Sequence, residues 1–242
     1  MLRRLVRSAG PHRIAQTRAG RVLAALALSL PGAAIMTAQA PPASAQPNTV
    51  QAGRQHAAPE AEAFVQTEAN KALAILRDSA MSLSAKKQAF YSFINQVADV
   101  PKITDFVLGR YRRSVTPAQY GAFADAFRDY ADSVYESRLA DYHGQGLQVT
   151  GSIARSPDDV VVTSVITGAG ASGSSSLVNW RVQRGSDGRW RVVDVQAQGV
   201  WLAIVEQQDF GSTLANHNGD ISLLIHQLQA DAAQGAPMSR SR

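Results

Sequence analysis

The residues able to do chemistry in this chain are few and scattered. Three histidines, His143, His217 and His226, fall in the part expected to fold, and no two have metal-ligand spacing on one element. His143 reads as a cation at a helix end, where the dipole favours it. The chain has no cysteine, which removes thiol catalysis and cysteine-based metal sites. Serine nucleophiles are absent as motifs, because GSI at 151–153 and GSTL at 211–214 lack the flanks of a nucleophile elbow. The stretch GAGASGSSS at 168–176 has no phosphate-cradling pattern and reads as a flexible connector. No metal and no cofactor are expected. One acid stands out. Asp194 interrupts the apolar run Val192-Val193-Asp194-Val195, and a buried aspartate on a curved sheet could act as a general base. Its other reading is structural, since alternation puts it on the face opposite Val193 and Val195, open to solvent or to a hydrogen bond from a helix. Arg110, Arg112 and Arg113 form a basic cluster that reads as a solvated face, or as a contact for phosphate headgroups or an acidic partner.

The elements that must position these residues begin with a helix over 60–81, whose inward face is Val65, Ala69, Ala72, Leu73, Leu76 and Ala80. A second starts at Ser84 and turns Phe90, Phe93, Ile94 and Val97 inward. Asp99 caps a third, which ends at Gly109. The fourth is announced by a capping box: Thr116 at the N-cap, Pro117 at the first helical position, Gln119 three residues after the cap. Tyr120, Phe123, Phe127, Tyr130 and Val134 then form a stripe at helical spacing, with Asp125, Arg128, Asp129, Asp132 and Glu136 mainly opposite. Gly144 and Gly146 close this helix. Period-two patterning follows. Leu147, Val149 and Ile153 mark one strand, 160–167 a second, 177–183 a third and 189–198 a fourth, with a turn at 185–188. Short connections favour an antiparallel meander. Gly199 breaks the last strand, Val200–Ala215 reads as helix, and Asp220 caps a final helix through Ile221, Leu224, Ile225 and Leu228. The expected fold is α+β, a curved antiparallel meander of about four strands wrapped by helices.

Two blocks carry a family resemblance. LGRYRRSVTPAQYGAFADAFRDY at 108–130, followed by YHGQ at 142–145, resembles the MlaC, or toluene-tolerance, family of periplasmic phospholipid-binding proteins. GRWRVVDVQAQG at 188–199 resembles the tryptophan strand of the same family. The resemblance implies a lipid cavity between sheet and helices, and a monomeric carrier with neither covalent chemistry nor a metal. It further implies phospholipid as ligand, and two partners: an outer-membrane lipoprotein–porin complex and an inner-membrane ABC transporter bearing an MCE-domain protein. Such a carrier would support outer-membrane lipid asymmetry.

Lifting a two-tailed lipid with about 30 methylenes from a membrane, at about 0.8 kcal/mol each, costs on the order of 24 kcal/mol. Only a deep apolar cavity offsets that. The candidates to line it are Phe106, Val107, Tyr111, Phe123 and Phe127 on helices. The sheet offers Val165, Trp180 and Val195, and the segment after it Val200, Trp201 and Ile204. At Trp201 the family commonly has a small residue, so the indole could reshape the cavity for a hopanoid or other polycyclic lipid. Readings from other classes are an isomerase or hydrolase using Asp194, and an exported assembly factor whose apolar stripe meets a protein.

The N-terminal 45 residues contain six arginines and no acid. The run VLAALALSL at 22–30 is too short to span a bilayer, which takes about 20 residues. It reads as the core of a secretory signal, with cleavage after Ala45 because the alternative, after Ala40, would leave a proline first. The expected location is the periplasm. Without this leader 18 basic residues face 19 acidic ones, so the net charge falls from +5 to about −1 and no basic face remains for nucleic acid. Residues 46–59 read as a disordered lead-in, 60–230 as a single lipid-binding domain and 231–242 as a flexible tail.

Overall fold

The computed structural model describes residues 56–139, 142–168 and 177–234. The expected signal segment, most of the lead-in, the glycine–serine connector beyond Gly168 and the end of the tail lie outside them. The helices are α1 (Pro59–Arg77), α2 (Leu83–Val97), α3 (Val100–Leu108), α4 (Pro117–Leu139), α5 (Leu202–Asn216) and α6 (Ile221–Ala233), with a 3-10 turn over Gly109–Arg113. Among these residues no helix is long and apolar enough to cross a membrane.

Helix starts are fixed locally by side chains that satisfy the free N–H groups of the first turn. The Ser82 hydroxyl accepts from the Ala85 N–H at 3.2 Å, and Asp99 accepts from Lys102 at 3.2 Å. The capping box of α4 closes both ways: Gln119 N–H donates to the Thr116 hydroxyl at 3.2 Å, and Thr116 N–H to the Gln119 amide oxygen at 2.9 Å. Asp220 accepts from Ser222 N–H at 2.9 Å. Upstream of α1, the Ala58 N–H donates to the Ser152 hydroxyl at 3.0 Å, which ties the last residues of the expected lead-in to the sheet.

The sheet is an antiparallel meander in the order β1 (Gly146–Ser156), β2 (Asp159–Thr167), β3 (Leu177–Arg184), β4 (Trp190–Ala197), β5 (Val200–Trp201). The α+β class and the meander are as expected, and the strand count is five rather than four. The difference lies at Gln198 and Gly199, with φ of 52° and 80°. Two successive residues with positive φ make the tight turn whose twist suits a hairpin. Ala197 therefore pairs with Val200 and Gln196 with Trp201, and the helix expected from Val200 starts only at Leu202.

The register shifts between Arg181 and Val182: Arg181 faces Asp194, whereas Val182 faces Val192. Val193 is the extra residue of a β-bulge, so simple alternation fails there and Val193 and Asp194 are both buried, each 8% exposed. Beyond the bulge, the free edge of β4 is covered where Asp99 N–H donates to the Val192 carbonyl at 2.9 Å.

Two separate cores result. The helical core joins α3, α4, α5 and α6 through Val107, Leu108, Phe123, Tyr130, Phe210, Leu214, Leu224 and Leu228. Phe123 stacks on Phe127 and meets Phe210 edge-on, both at centroid distances of 5.9 Å. The sheet core sets Ala61 and Val65 of α1 on Val160, Val162 and Val182, with Trp180 and Trp190 packed against them.

Candidate binding site

Between these cores lies apolar surface that belongs to neither. Phe90, Phe93, Ile94 and Val97 stand at helical spacing on α2, yet no residue of α2 is buried. An amphipathic helix normally hides such a face, because each large apolar side chain fully removed from water gains about 1.5–3 kcal/mol. On α1 the N-terminal residues Ala61 and Val65 enter the sheet core, whereas Leu73 and Leu76 remain half-buried. Helix α2 packs against α1, α4 and β4.

The register assigns the strand residues to faces, since directly paired residues share one. The face that meets α1 carries Val160, Val162 and Ser164 of β2, opposite Val182, Trp180 and Val178. It continues through Val195, opposite Trp180, and through Ala197 opposite Val200. Polar atoms at its centre are paired with one another. The Trp180 indole N–H donates to the Ser164 hydroxyl at 2.9 Å, and that hydroxyl donates to the Val178 carbonyl at 3.1 Å.

The other face is polar. Thr163 donates to the Asn179 amide oxygen at 2.8 Å, and Asn179 to Gln196 at 2.6 Å. Arg181 donates twice to Asp159, at 3.0 and 2.7 Å, and holds that carboxyl below the usual range.

The residues proposed from sequence to line one cavity separate into four groups. Trp180, Val195 and Val200 share the apolar sheet face. Val165, paired with Leu177 and Gln148, and Trp201, paired with Gln196, point to the opposite face. Val107 and Phe123 lie inside the helical core, with Tyr111 and Phe127 packed against it. Phe106 and Ile204 are exposed, 37% and 39%. The register thus gathers three of the eleven on one apolar sheet face. The apolar residues of α2 and the end of α1 were legible as inward-facing, but nothing in their spacing told a half-buried face from a filled one.

Asp194 anchors α5. Its Oδ1 accepts from Ala203 N–H at 2.9 Å and from Val195 N–H at 2.8 Å, while Trp201 at the N-cap supplies no side-chain bond. Burial raises its pKa, and the two N–H donors pull against that shift. A second buried acid has no counterpart in the sequence reading. Glu206 of α5 is 5% exposed and accepts from the Tyr130 hydroxyl at 3.4 Å. Burial, reinforced by Asp209 and Asp231, pushes its carboxyl up to about 8, and burial also raises the Tyr130 phenol.

Of the basic cluster, Arg112 donates to Asp105 at 2.6 Å and lies 4.0 Å over the Tyr120 ring. Arg110 donates to the Tyr111 hydroxyl at 2.8 Å. His217 is satisfied by the Thr213 carbonyl at 2.7 Å, and no group of described acids or histidines could hold a metal ion.

Helices packed on an antiparallel meander, with one core among the helices and another on the sheet, make this an α+β protein. The chain belongs to the MlaC family, whose model, described as MlaC protein, matches residues 66–230. Among solved structures it is similar to the phospholipid-binding protein from Ralstonia solanacearum, determined at 1.53 Å in complex with a phospholipid. That similarity has a TM-score of 0.65 and 25% identity, and covers 73% of this chain and 99% of the other.

Proposed function

We propose that this protein is a periplasmic phospholipid carrier that holds acyl chains between α2 and the apolar sheet face. The observation that carries the reading is the half-buried apolar face of Phe90, Phe93, Ile94 and Val97 on a helix with no buried residue. On the apolar sheet face the Trp180 indole N–H and the Ser164 hydroxyl are both hydrogen-bonded, which suits a hydrocarbon neighbour. Membership of the MlaC family and the likeness to a phospholipid-bound structure support the same ligand class. The carrier is exported by a signal cleaved after Ala45. It exchanges lipid with an inner-membrane ABC transporter bearing an MCE-domain protein and with an outer-membrane lipoprotein–porin complex, and so sustains outer-membrane asymmetry. Energy for direction comes from the transporter.

The polycyclic-lipid alternative gains nothing from Trp201, which the register sets on the far face of the sheet from Trp180 and Val195. Asp194 as a catalytic base is likewise unsupported, because its Oδ1 is engaged at the start of α5. The test is native mass spectrometry of the full chain after export into a bacterial periplasm and purification without detergent. Bound phospholipid is the expected result. A protein that stays empty after incubation with phospholipid vesicles would refute the carrier reading.

A further inference from the structure

Glu206 plays no part in the binding face. Its Oε2 is buried with no hydrogen-bond partner among the described residues, and its Oε1 has only the long bond from Tyr130. The described groups that bear on it are Tyr130 from α4, Asp209 from α5 itself and Asp231 from α6, and none is a cation. A neutral carboxyl tolerates this site at the cost of one unsatisfied atom, about 1–3 kcal/mol. A carboxylate there would be a buried charge among acids, which is far more costly. The helices can therefore close over Glu206 only while it keeps its proton.

We propose that Glu206 is a protonation lock on the helical half of the molecule: as the neutral acid it lets α4, α5 and α6 pack together, and loss of its proton loosens α5 and α6. The sheet core holds no such group among its described members, so it stays closed. Helix α5 follows directly from β5 and is tied to β4 through Asp194, so the lock acts on the helix that leads out of the sheet.

Hydrogen–deuterium exchange of the exported protein at about pH 6 and about pH 9, with labelling times matched for intrinsic exchange, reads the lock directly. Protection of α5 and α6 falls by at least about tenfold at the higher pH, the effect of one pH unit of unmatched proton affinity. Protection of β1 and β2 does not change. Glu206→Gln, which keeps the shape without the ionisation, abolishes the pH dependence. An undiminished pH dependence in Glu206→Gln, or none in the native chain, overturns the proposal. Should Glu206→Gln fail to fold, Asp231→Asn serves in its place. Removing the neighbouring negative charge eases the ionisation of Glu206, so the midpoint of the loosening moves to lower pH; an unmoved or raised midpoint overturns the proposal.

Discussion

The aromatic residues of α4 and of α2 look alike in sequence and do different work. On α4, Phe123 is wholly enclosed, stacked on Phe127 and edge-on to Phe210. On α2, Phe90 and Phe93 touch at 6.3 Å and neither is buried. One helix has its partners within the chain, in α5 and α6. The other keeps its apolar residues half-buried. An apolar stripe thus shows that a helix must be covered, but not by what.

The comparison can be broken most forcefully at Phe123. Phe123→Ala should cost about 3–5 kcal/mol, because it removes the ring at the centre of the helical core and leaves a cavity. Denaturant unfolding monitored by circular dichroism measures this, and a cost as small as that at Phe93 would erase the distinction.

Next comes pH. Glu206 has a folded pKa near 8 against an ordinary 4.5, so the folded state holds the proton more tightly. Its contribution to stability is fully present below about 4.5, declines as pH rises and has gone once pH passes about 8. Asp194, Asp209 and Asp231, also raised by burial, act in the same direction. Thermal unfolding of the native chain should show stability falling across this window, and Glu206→Gln should flatten most of the slope. A rise in stability from pH 5 to 8 that Glu206→Gln leaves unchanged would contradict the assignment.

At the sheet–helix junction, Asp194→Ala should cost about 1 kcal/mol, the value of a helix cap, whereas Asp194→Asn keeps an acceptor and costs less. Equal losses from both, with α5 unaffected in hydrogen exchange, would remove Asp194 from this role. Smallest in stability is Phe93→Ala, expected below about 1 kcal/mol because a half-open ring has little burial to lose. Bound lipid should nevertheless fall in native mass spectra of the exported variant, which separates a binding wall from a core.

Where local chemistry decides, the sequence reads well. The capping box at Thr116 and Gln119, the caps at Asp99 and Asp220 and the meander of short connections are all properties of neighbouring residues. The failures are non-local. Strand β5 depends on Gln198 adopting a positive φ, which Gln rarely does and which nothing beside it announces. The faces of Val165 and Trp201 follow from register, and the burial of Asp194 from the bulge at Val193, so counting residues by twos goes astray. Glu206 sits in VEQQD, a string that looks solvent-facing until α4 and α6 close over it.

The central claim is that acyl chains lie between α2 and the apolar sheet face. Crosslinking with a phospholipid that carries a photoactivatable group in its acyl chain, followed by peptide mapping, tests it most directly. Adducts at Phe90, Phe93, Leu76, Val195 or Trp180 are the predicted result. Adducts confined to Phe123, Phe127 and Phe210, or to Val165 and Trp201 on the far face, would contradict it.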